Sequence, residues 1–128
     1  MWKPAKKTPL CAIATQHIVN KVLEIHGVQG IMSLIVAPGQ SIGEALLADR
    51  RLPLISATGS CHMGRRIGEV VNKRLGRSLL ELGGNNAIIV SDDCNMELAL
   101  RAVLFGAVGT AGQRCTSTRR VIIQEGIH

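Results

Sequence analysis

Two residues of this chain could carry covalent chemistry, a cysteine and a carboxylate set among small and polar neighbours. Cys115 lies in Gly112-Gln113-Arg114-Cys115-Thr116, and Glu81 lies upstream in Glu81-Leu82-Gly83-Gly84. A thiol attacks as its thiolate, which needs a base or a nearby positive charge to form. Arg114 offers that charge from the adjacent position. Burial of an unpaired carboxylate at the end of an apolar strand is costly, so a task such as proton transfer explains Glu81 better than a structural role does. The pair therefore predicts a nucleophile and its general base.

A glycine-containing turn, Thr58-Gly59-Ser60-Cys61-His62-Met63-Gly64, joins a predicted strand to a predicted helix. Glycine lets the backbone approach a ligand, and free N–H groups at the start of a helix attract phosphate. The spacing does not match the G-x-G-x-x-G dinucleotide fingerprint, so an ordinary glycine turn is the alternative.

These motifs fall between alternating helix and strand patterns. Apolar residues recur at helical spacing, and short runs rich in β-branched residues, bounded by glycine or proline, indicate buried strands. Helices are predicted over 9–26, 41–49 (with Ser41 as N-cap), 60–75 and 95–108, and strands over 31–37, 52–57, 79–82, 87–90 and 120–124. Helices between strands predict an α/β fold with a parallel sheet.

Composition narrows the class of protein. The 128 residues are 46% hydrophobic and 2% aromatic, so the core must rely on aliphatic side chains. The net charge of +6 could suit a nucleic acid, but the basic residues form scattered short clusters and few aromatic groups are present to stack on bases. No run approaches the roughly 18 apolar residues that cross a membrane. We therefore expect neither a nucleic-acid partner nor a membrane span.

The cysteines and histidines predict no metal site. The four cysteines, Cys11, Cys61, Cys94 and Cys115, have neither metal-ligand spacing nor the density of a disulfide scaffold. The four histidines show no ligand spacing either. With no apolar signal segment after Met1, we expect reduced thiols and a cytoplasmic protein, or a mitochondrial one if a longer parent carries a transit peptide.

Taken together, the motifs resemble those of the aldehyde dehydrogenase superfamily. Gly112-Gln113-Arg114-Cys115 is similar to the family's nucleophile motif, Glu81-Leu82-Gly83-Gly84 to its general-base motif and Thr58-Gly59-Ser60 to a third, in the family's order and spacing. The resemblance extends over essentially the whole chain. It implies a parallel Rossmann-like sheet with flanking helices: part of an NAD(P)-binding domain at 1–83, then the start of a catalytic domain, carrying the nucleophile, at 84–128.

The resemblance also implies a reaction and a cofactor site. Cys115 would attack an aldehyde carbon, hydride would pass to NAD or NADP, and Glu81 would activate the water that releases the carboxylate from a cysteine thioester. The backbone N–H of Cys115 would stabilise the oxyanion. Positions that match the family's cofactor contacts are Lys3, Lys6, Gly39, Gly43, Gly59, Ser60, Gly64 and Leu82.

Lys6 departs from the family pattern, because many NAD-preferring members carry Glu at this position to accept hydrogen bonds from the ribose hydroxyls. A cation cannot accept those bonds and would favour a 2′-phosphate. We therefore expect mixed or NADP-leaning specificity.

Two stretches narrow the resemblance to the antiquitin-like group, the α-aminoadipate semialdehyde dehydrogenases of lysine breakdown. They are Leu82-Gly83-Gly84-Asn85-Asn86-Ala87 and the residues 107–116. The resemblance implies that Arg114 holds the acidic end of the substrate, a natural task for a guanidinium, and that Thr116 lines the pocket.

Complete members of this family are several times longer, so the resemblance implies an internal piece of a longer enzyme that forms homo-oligomers. We expect the polypeptide alone to be poorly stable and weakly active or inactive. The alternatives are a truncated, non-catalytic remnant that binds a nucleotide or a partner, and a CoA-acylating dehydrogenase that shares the thioester.

Overall fold

The computed structural model describes residues 1–37 and 40–127, without the side chains of residues 40 and 41. The chain divides into two compact units, Met1–Asp49 and Arg50–His128. The helices are α1 (Pro9–Ile25), α2 (Gln40–Ala48), α3 (Cys61–Lys73) and α4 (Met96–Val108), and the strands are β1 (Leu54–Gly59), β2 (Arg77–Leu82), β3 (Ala87–Val90) and β4 (Arg120–Ile123). Short 3-10 turns occupy Gly109–Gly112 and Glu125–Ile127.

Helix α1 dominates the first unit and matches its predicted range closely. It begins at Pro9, whose fixed φ suits the first helical position. It ends just before Gly27, which takes the left-handed backbone (φ 65°) that favours glycine at a helix end. Ala12 is buried, whereas Ile18 and Ile25 are exposed in the described chain.

The strand predicted over 31–37 was wrong, since this segment makes one isolated parallel bridge, between Trp2 and Leu34. The Trp2 N–H donates to the Ser33 carbonyl at 2.7 Å, and the Ile35 N–H donates to the Trp2 carbonyl at 2.9 Å. The next ladder bond would have to come from the N–H of Pro4, and proline has none. Apolar composition alone therefore did not make a strand.

The predicted N-cap of the second helix was also wrong. Helix α2 begins at Gln40, so Ser41 lies inside it. Side-chain preferences locate a helix start only to within a residue or two, and two polar residues in succession leave the choice open.

The second unit contains two parallel strand pairs, each joined by its own crossover helix. β1 pairs with β2 from Leu54↔Arg77 to Gly59↔Leu82, with α3 between them in the sequence. β3 pairs with β4 from Ala87↔Arg120 to Val90↔Ile123, with α4 between them. Parallel strands need such crossovers, and the predicted α/β fold is confirmed.

Helix α3 covers the first strand pair with one apolar face. Ile67 and Val71 are buried there, and the charged side chains of the helix are exposed. The burial of such side chains contributes about 1.5–3 kcal/mol each. The helix ends in a Schellman motif, in which the Gly76 N–H donates to the Val71 carbonyl at 2.9 Å and Leu75 takes a φ of 60°.

Helix α4 differs, because none of its residues is buried in the described chain. Its start is fixed by Asn95, whose side-chain oxygen accepts a hydrogen bond from the Leu98 N–H at 3.0 Å. Leu100 and Phe105 are exposed. The second strand pair contributes Val90 to the buried core.

The described residues contain neither a membrane-spanning helix nor a group of side chains that could bind a metal ion. None of their helices combines the length and the apolar character needed to span a membrane. Their His, Cys, Asp and Glu side chains form no group of three that could bind a metal ion.

Candidate active site

The glycine-containing turn lies at the carboxyl end of β1 and forms the start of α3. Ser60 is the N-cap of this helix, and its Oγ accepts a hydrogen bond from the Met63 N–H at 3.2 Å. The Gly64 N–H donates to the Ser60 carbonyl at 2.9 Å, which continues the first helical turn. Ligands of open α/β sheets bind at the carboxyl ends of parallel strands, beside such helix starts.

The close approach of Gly64 to Leu82 joins this turn to the end of β2. A Cβ added to Gly64, which is buried, would lie 2.5 Å from both terminal methyl carbons of Leu82. The Gly83 N–H also donates to the Gly59 carbonyl at 3.2 Å, and the Cys61 Sγ donates to the Gly83 carbonyl at 3.0 Å. The predicted cofactor residues Gly59, Ser60, Gly64 and Leu82 therefore lie together.

Glu81 lies directly across the strand pair from Thr58. Cross-strand partners share one face of a sheet, and both side chains are exposed. The sequence argument treated Glu81 as a carboxylate that would be costly to bury, but the described residues leave it open to solvent. The structure thus places the carboxylate beside the glycine turn without enclosing it.

A run of left-handed backbone leads into the nucleophile segment. Thr110, Ala111 and Gly112 have φ of 56°, 54° and 65°. For a residue with a Cβ this conformation costs roughly 1–2 kcal/mol. Cys115 follows with an exposed side chain, and no described residue accepts a hydrogen bond from its backbone N–H. That N–H is therefore free to bind an oxyanion.

Asn86 ties this segment to the chain that follows β2. Its side-chain N–H groups donate to the Cys115 carbonyl at 2.6 Å and to the Ser117 carbonyl at 3.1 Å. Its own carbonyl accepts from the N–H groups of Arg119 and Arg120. The side chain of Asn86 thus links the nucleophile motif to the segment that follows the Glu81-Leu82-Gly83-Gly84 motif.

Ser117 fixes the same segment from within. It is 2% exposed, and its Oγ accepts a hydrogen bond from the Arg114 N–H at 3.1 Å. Its own N–H donates to the Arg114 carbonyl at 3.2 Å. Sequence reasoning missed both Ser117 and the contact made by Asn86. The Asn85-Asn86 pair, noted only as a mark of the subfamily, was the available signal for Asn86.

The predicted substrate residues flank Cys115 differently. The Arg114 guanidinium carbon lies 5.0 Å from the centre of the Phe105 ring, and its Nε is buried without a hydrogen-bond partner among the described residues. Thr116 is exposed. Both predicted contacts therefore adjoin the nucleophile, and Arg114 is oriented by an aromatic ring.

The other predicted cofactor residues belong to the first unit. The Lys3 Nζ donates a long hydrogen bond to the Pro4 carbonyl at 3.4 Å, and Lys6 is exposed. A Cβ on Gly43 would meet nothing within 4 Å, so the described residues leave space beside it. Gly39 lies outside the described residues. The Cys11, Cys61 and Cys115 thiols are free and exposed, and Cys94 is free and partly exposed.

Comparison with known proteins agrees with the motifs. The aldehyde dehydrogenase family matches over residues 1–128. The chain is 49% identical to aldehyde dehydrogenase family 7 member B4 of Arabidopsis thaliana over 128 residues, which are 100% of this chain and 25% of that protein. It is 46% identical to alpha-aminoadipic semialdehyde dehydrogenase of Bos taurus over 128 residues, 100% of this chain and 24% of that one. The chain thus spans about a quarter of the length of the curated relatives it matches.

Solved structures give the same result at the level of the fold. Lactaldehyde dehydrogenase from Escherichia coli superposes with a TM-score of 0.87 at 36% identity, over 98% of this chain and 26% of that one. An NAD-dependent aldehyde dehydrogenase from Sinorhizobium meliloti superposes with a TM-score of 0.85 at 29% identity, over 98% and 24%. Sequence motifs, parallel α/β fold and family match agree, and the chain belongs to the aldehyde dehydrogenase family.

Proposed function

We propose that the protein containing this chain oxidises an aldehyde to a carboxylate with NAD or NADP, through a thioester on Cys115. The observation that carries the proposal is the environment of Cys115: an exposed thiol, a free backbone N–H, and a bridge through Asn86 to the segment after Glu81. Nucleophilic catalysis needs an accessible thiol, an oxyanion donor and a base.

The residues of this chain have distinct tasks in that reaction. Glu81, directly or through a water molecule, takes the proton of the Cys115 thiol, and the thiolate forms a bond to the aldehyde carbon. The Cys115 N–H binds the resulting oxyanion. A bound NAD(P) would supply the acceptor for the hydride of this carbon, and loss of that hydride leaves the substrate as a thioester on Cys115. Glu81 releases the first proton to solvent and then takes a proton from water, whose oxygen attacks the thioester carbon, so that Cys115 leaves as a thiolate and the carboxylate is released.

The described residues fit a dinucleotide. The turn at Gly59, Ser60 and Gly64 places the open start of α3 at the carboxyl end of parallel strands, where phosphate binds well. Leu82 packs on that turn, and space adjoins Gly43. We assign these residues to the cofactor, together with Gly39 and the two lysines, Lys3 and Lys6.

Lys6 supports NADP as an acceptor beside NAD. It is exposed and has no carboxylate partner among the described residues, so its charge is available to a 2′-phosphate. We expect Lys6→Glu to lower the ratio of kcat/KM for NADP to that for NAD, measured on the full-length protein. An unchanged ratio would remove Lys6 from the cofactor site.

The substrate proposed is a semialdehyde, with α-aminoadipate semialdehyde as the first compound to test. The support is the 46% identity to a relative named for that activity and the unpaired guanidinium of Arg114 beside Cys115. We further propose a homo-oligomer without nucleic-acid or membrane partners, a domain boundary after residue 83, and a cytoplasmic or, with a transit peptide, mitochondrial protein.

Substitution of the two chemical residues tests the activity. In the full-length protein, Cys115→Ser should lower kcat roughly a thousandfold or more, and Glu81→Gln should slow hydrolysis of the thioester so that a covalent acyl-enzyme accumulates. Cys11→Ser, at another exposed cysteine, is the control and should retain turnover. Retained activity in Cys115→Ser would refute the mechanism. Release of the acyl group to added CoA, with no hydrolysis, would favour a CoA-acylating enzyme.

The non-catalytic alternative is separated by the size of the endogenous polypeptide. Within the described chain, Ala12, Ile67, Val71 and Val90 are the buried apolar side chains, which supports our expectation of a weakly stable, inactive isolated polypeptide. An immunoblot with an antibody to this segment should show a band several times larger than 13.7 kDa. A band near 13.7 kDa that binds NAD without turnover would favour the remnant.

A further inference from the structure

The guanidinium of Arg114 is a positive charge without an anionic partner in the described chain. The structure records no ion pair for it, and its Nε is buried without an acceptor. A partly exposed arginine normally turns to solvent or a carboxylate, since ordering its long side chain costs entropy. Some other contact must therefore hold this side chain where it is.

Phe105 and Gly109 provide that contact. The Phe105 ring lies under the guanidinium, 5.0 Å from its carbon. Gly109 leaves the room beside it, because a Cβ at that position would lie 2.7 Å from the Arg114 Nη2 and 3.7 Å from the Phe105 ring. The three residues form one cluster, and the ring attracts the cation through its π-face.

We propose that Phe105 and Gly109 are specificity-determining residues, which position the Arg114 guanidinium to bind the carboxylate of an acidic aldehyde. This inference rests on the proposed function and adds two residues to it. Arg114 is adjacent to Cys115 in the chain, so a substrate carboxylate bound by its guanidinium would hold the substrate close to the nucleophile. Arginine, unlike lysine, binds a carboxylate through two parallel hydrogen bonds.

Gly109 offers a clean perturbation. Its φ of −53° is accessible to any residue, so alanine there adds no backbone strain. The atom that its Cβ would displace is the flexible end of the Arg114 side chain. Gly109→Ala should therefore move the guanidinium and leave the fold intact.

The experiment compares two aldehydes of six carbons on the full-length protein, adipate semialdehyde and hexanal. Gly109→Ala and Phe105→Leu should raise KM for the semialdehyde roughly 2- to 30-fold, the range of a cation–π contact, and change KM for hexanal less than about twofold on the same scale. Phe105→Tyr, which keeps the ring, should behave as the wild type with both. Adipate should inhibit the wild type competitively and inhibit both affected variants more weakly.

The outcomes separate this inference from the proposed function. Equal loss with both aldehydes would reduce Phe105 and Gly109 to structural residues, and unchanged kinetics would exclude them as specificity determinants. A wild type that oxidises hexanal as well as the semialdehyde would overturn the inference and leave aldehyde oxidation standing. A wild type that oxidises neither of these aldehydes, nor α-aminoadipate semialdehyde, would overturn both proposals.

Discussion

The two strand–helix–strand segments of the second unit share a topology but are held together by different forces. In the first, β1-α3-β2, helix α3 buries Ile67 and Val71 and packs Gly64 against Leu82. In the second, β3-α4-β4, no residue of α4 is buried, Val90 of β3 lies in the core, and polar side chains add long-range hydrogen bonds. The Asn86 side chain donates to the nucleophile segment. The Gln124 side-chain oxygen accepts from the Asp92 N–H, and its nitrogen donates to the Asp92 carboxylate.

The difference corresponds to the two tasks proposed for them. Apolar packing tolerates little displacement, because a filled core allows few alternative arrangements. It suits a turn that must present one fixed shape to a cofactor. Hydrogen bonds to carbonyl groups orient the backbone of a segment, and each adds only about 1 kcal/mol to the net free energy of folding. Such hydrogen bonds suit the segment that carries Cys115, because the proposed attack on an aldehyde carbon requires a defined direction of approach.

The largest expected effect comes from breaking the polar bridge. Asn86→Ala removes both hydrogen bonds to the nucleophile segment and should lower kcat of the full-length protein roughly 10- to 100-fold, with the dissociation constant for NAD unchanged. Asn85→Ala is the matched control, because the described structure records no hydrogen bond from its side chain. A fall in NAD affinity, with kcat retained, would contradict the division of tasks.

A methyl group added between Gly64 and Leu82 should affect stability and cofactor binding, in contrast to the effect on kcat expected for Asn86→Ala. Gly64→Ala pushes against Leu82, so it should destabilise the protein by about 1–3 kcal/mol and weaken cofactor binding, measured by thermal unfolding and by NAD titration. Gly68→Ala on the same helix meets nothing within 4 Å. It should be neutral or stabilising, since alanine is the better helix former. Equal effects of the two substitutions would show that packing at Leu82 is unimportant.

The smallest effects are expected at the helix N-caps, because each of the two strand–helix–strand segments has one such capping residue. Ser60→Ala and Asn95→Ala each remove one side-chain hydrogen bond at the start of a helix, worth about 1 kcal/mol. Both should lower the melting temperature slightly. Ser60→Ala alone should also raise KM for NAD, because Ser60 borders the proposed cofactor site. Loss of cofactor affinity in Asn95→Ala would contradict the assignment of cofactor binding to the first segment alone.

Much of this comparison was accessible from the sequence. The boundaries of β3 were predicted correctly, and those of α1 and α4 to within a residue, since long periodic patterns and capping residues such as Asn95 act locally. The candidate nucleophile, the carboxylate and the glycine turn were found by residue type and spacing. The predicted family was confirmed by comparison with known proteins.

What the sequence could not show depends on contacts between distant residues. The exchange of hydrogen bonds among Asn86, Cys115 and Ser117 has no local pattern, and neither does the fit of Leu82 against Gly64. The strand predicted over 31–37 failed for the same reason, because a strand requires a partner and Pro4 interrupts the segment that pairs with it among the described residues. The exposure of Glu81 likewise depends on which residues surround it.

The free cysteines give the two segments separate chemical reporters. The Cys61 thiol lies at the start of α3, hydrogen-bonded to the Gly83 carbonyl, and the Cys115 thiol lies in the nucleophile segment. An alkylating reagent followed by peptide mass analysis would therefore record occupancy at the cofactor turn and at the nucleophile in one sample. Loss of activity on alkylation cannot by itself identify the nucleophile in this chain, unless Cys11, Cys61 and Cys94 are first replaced by serine.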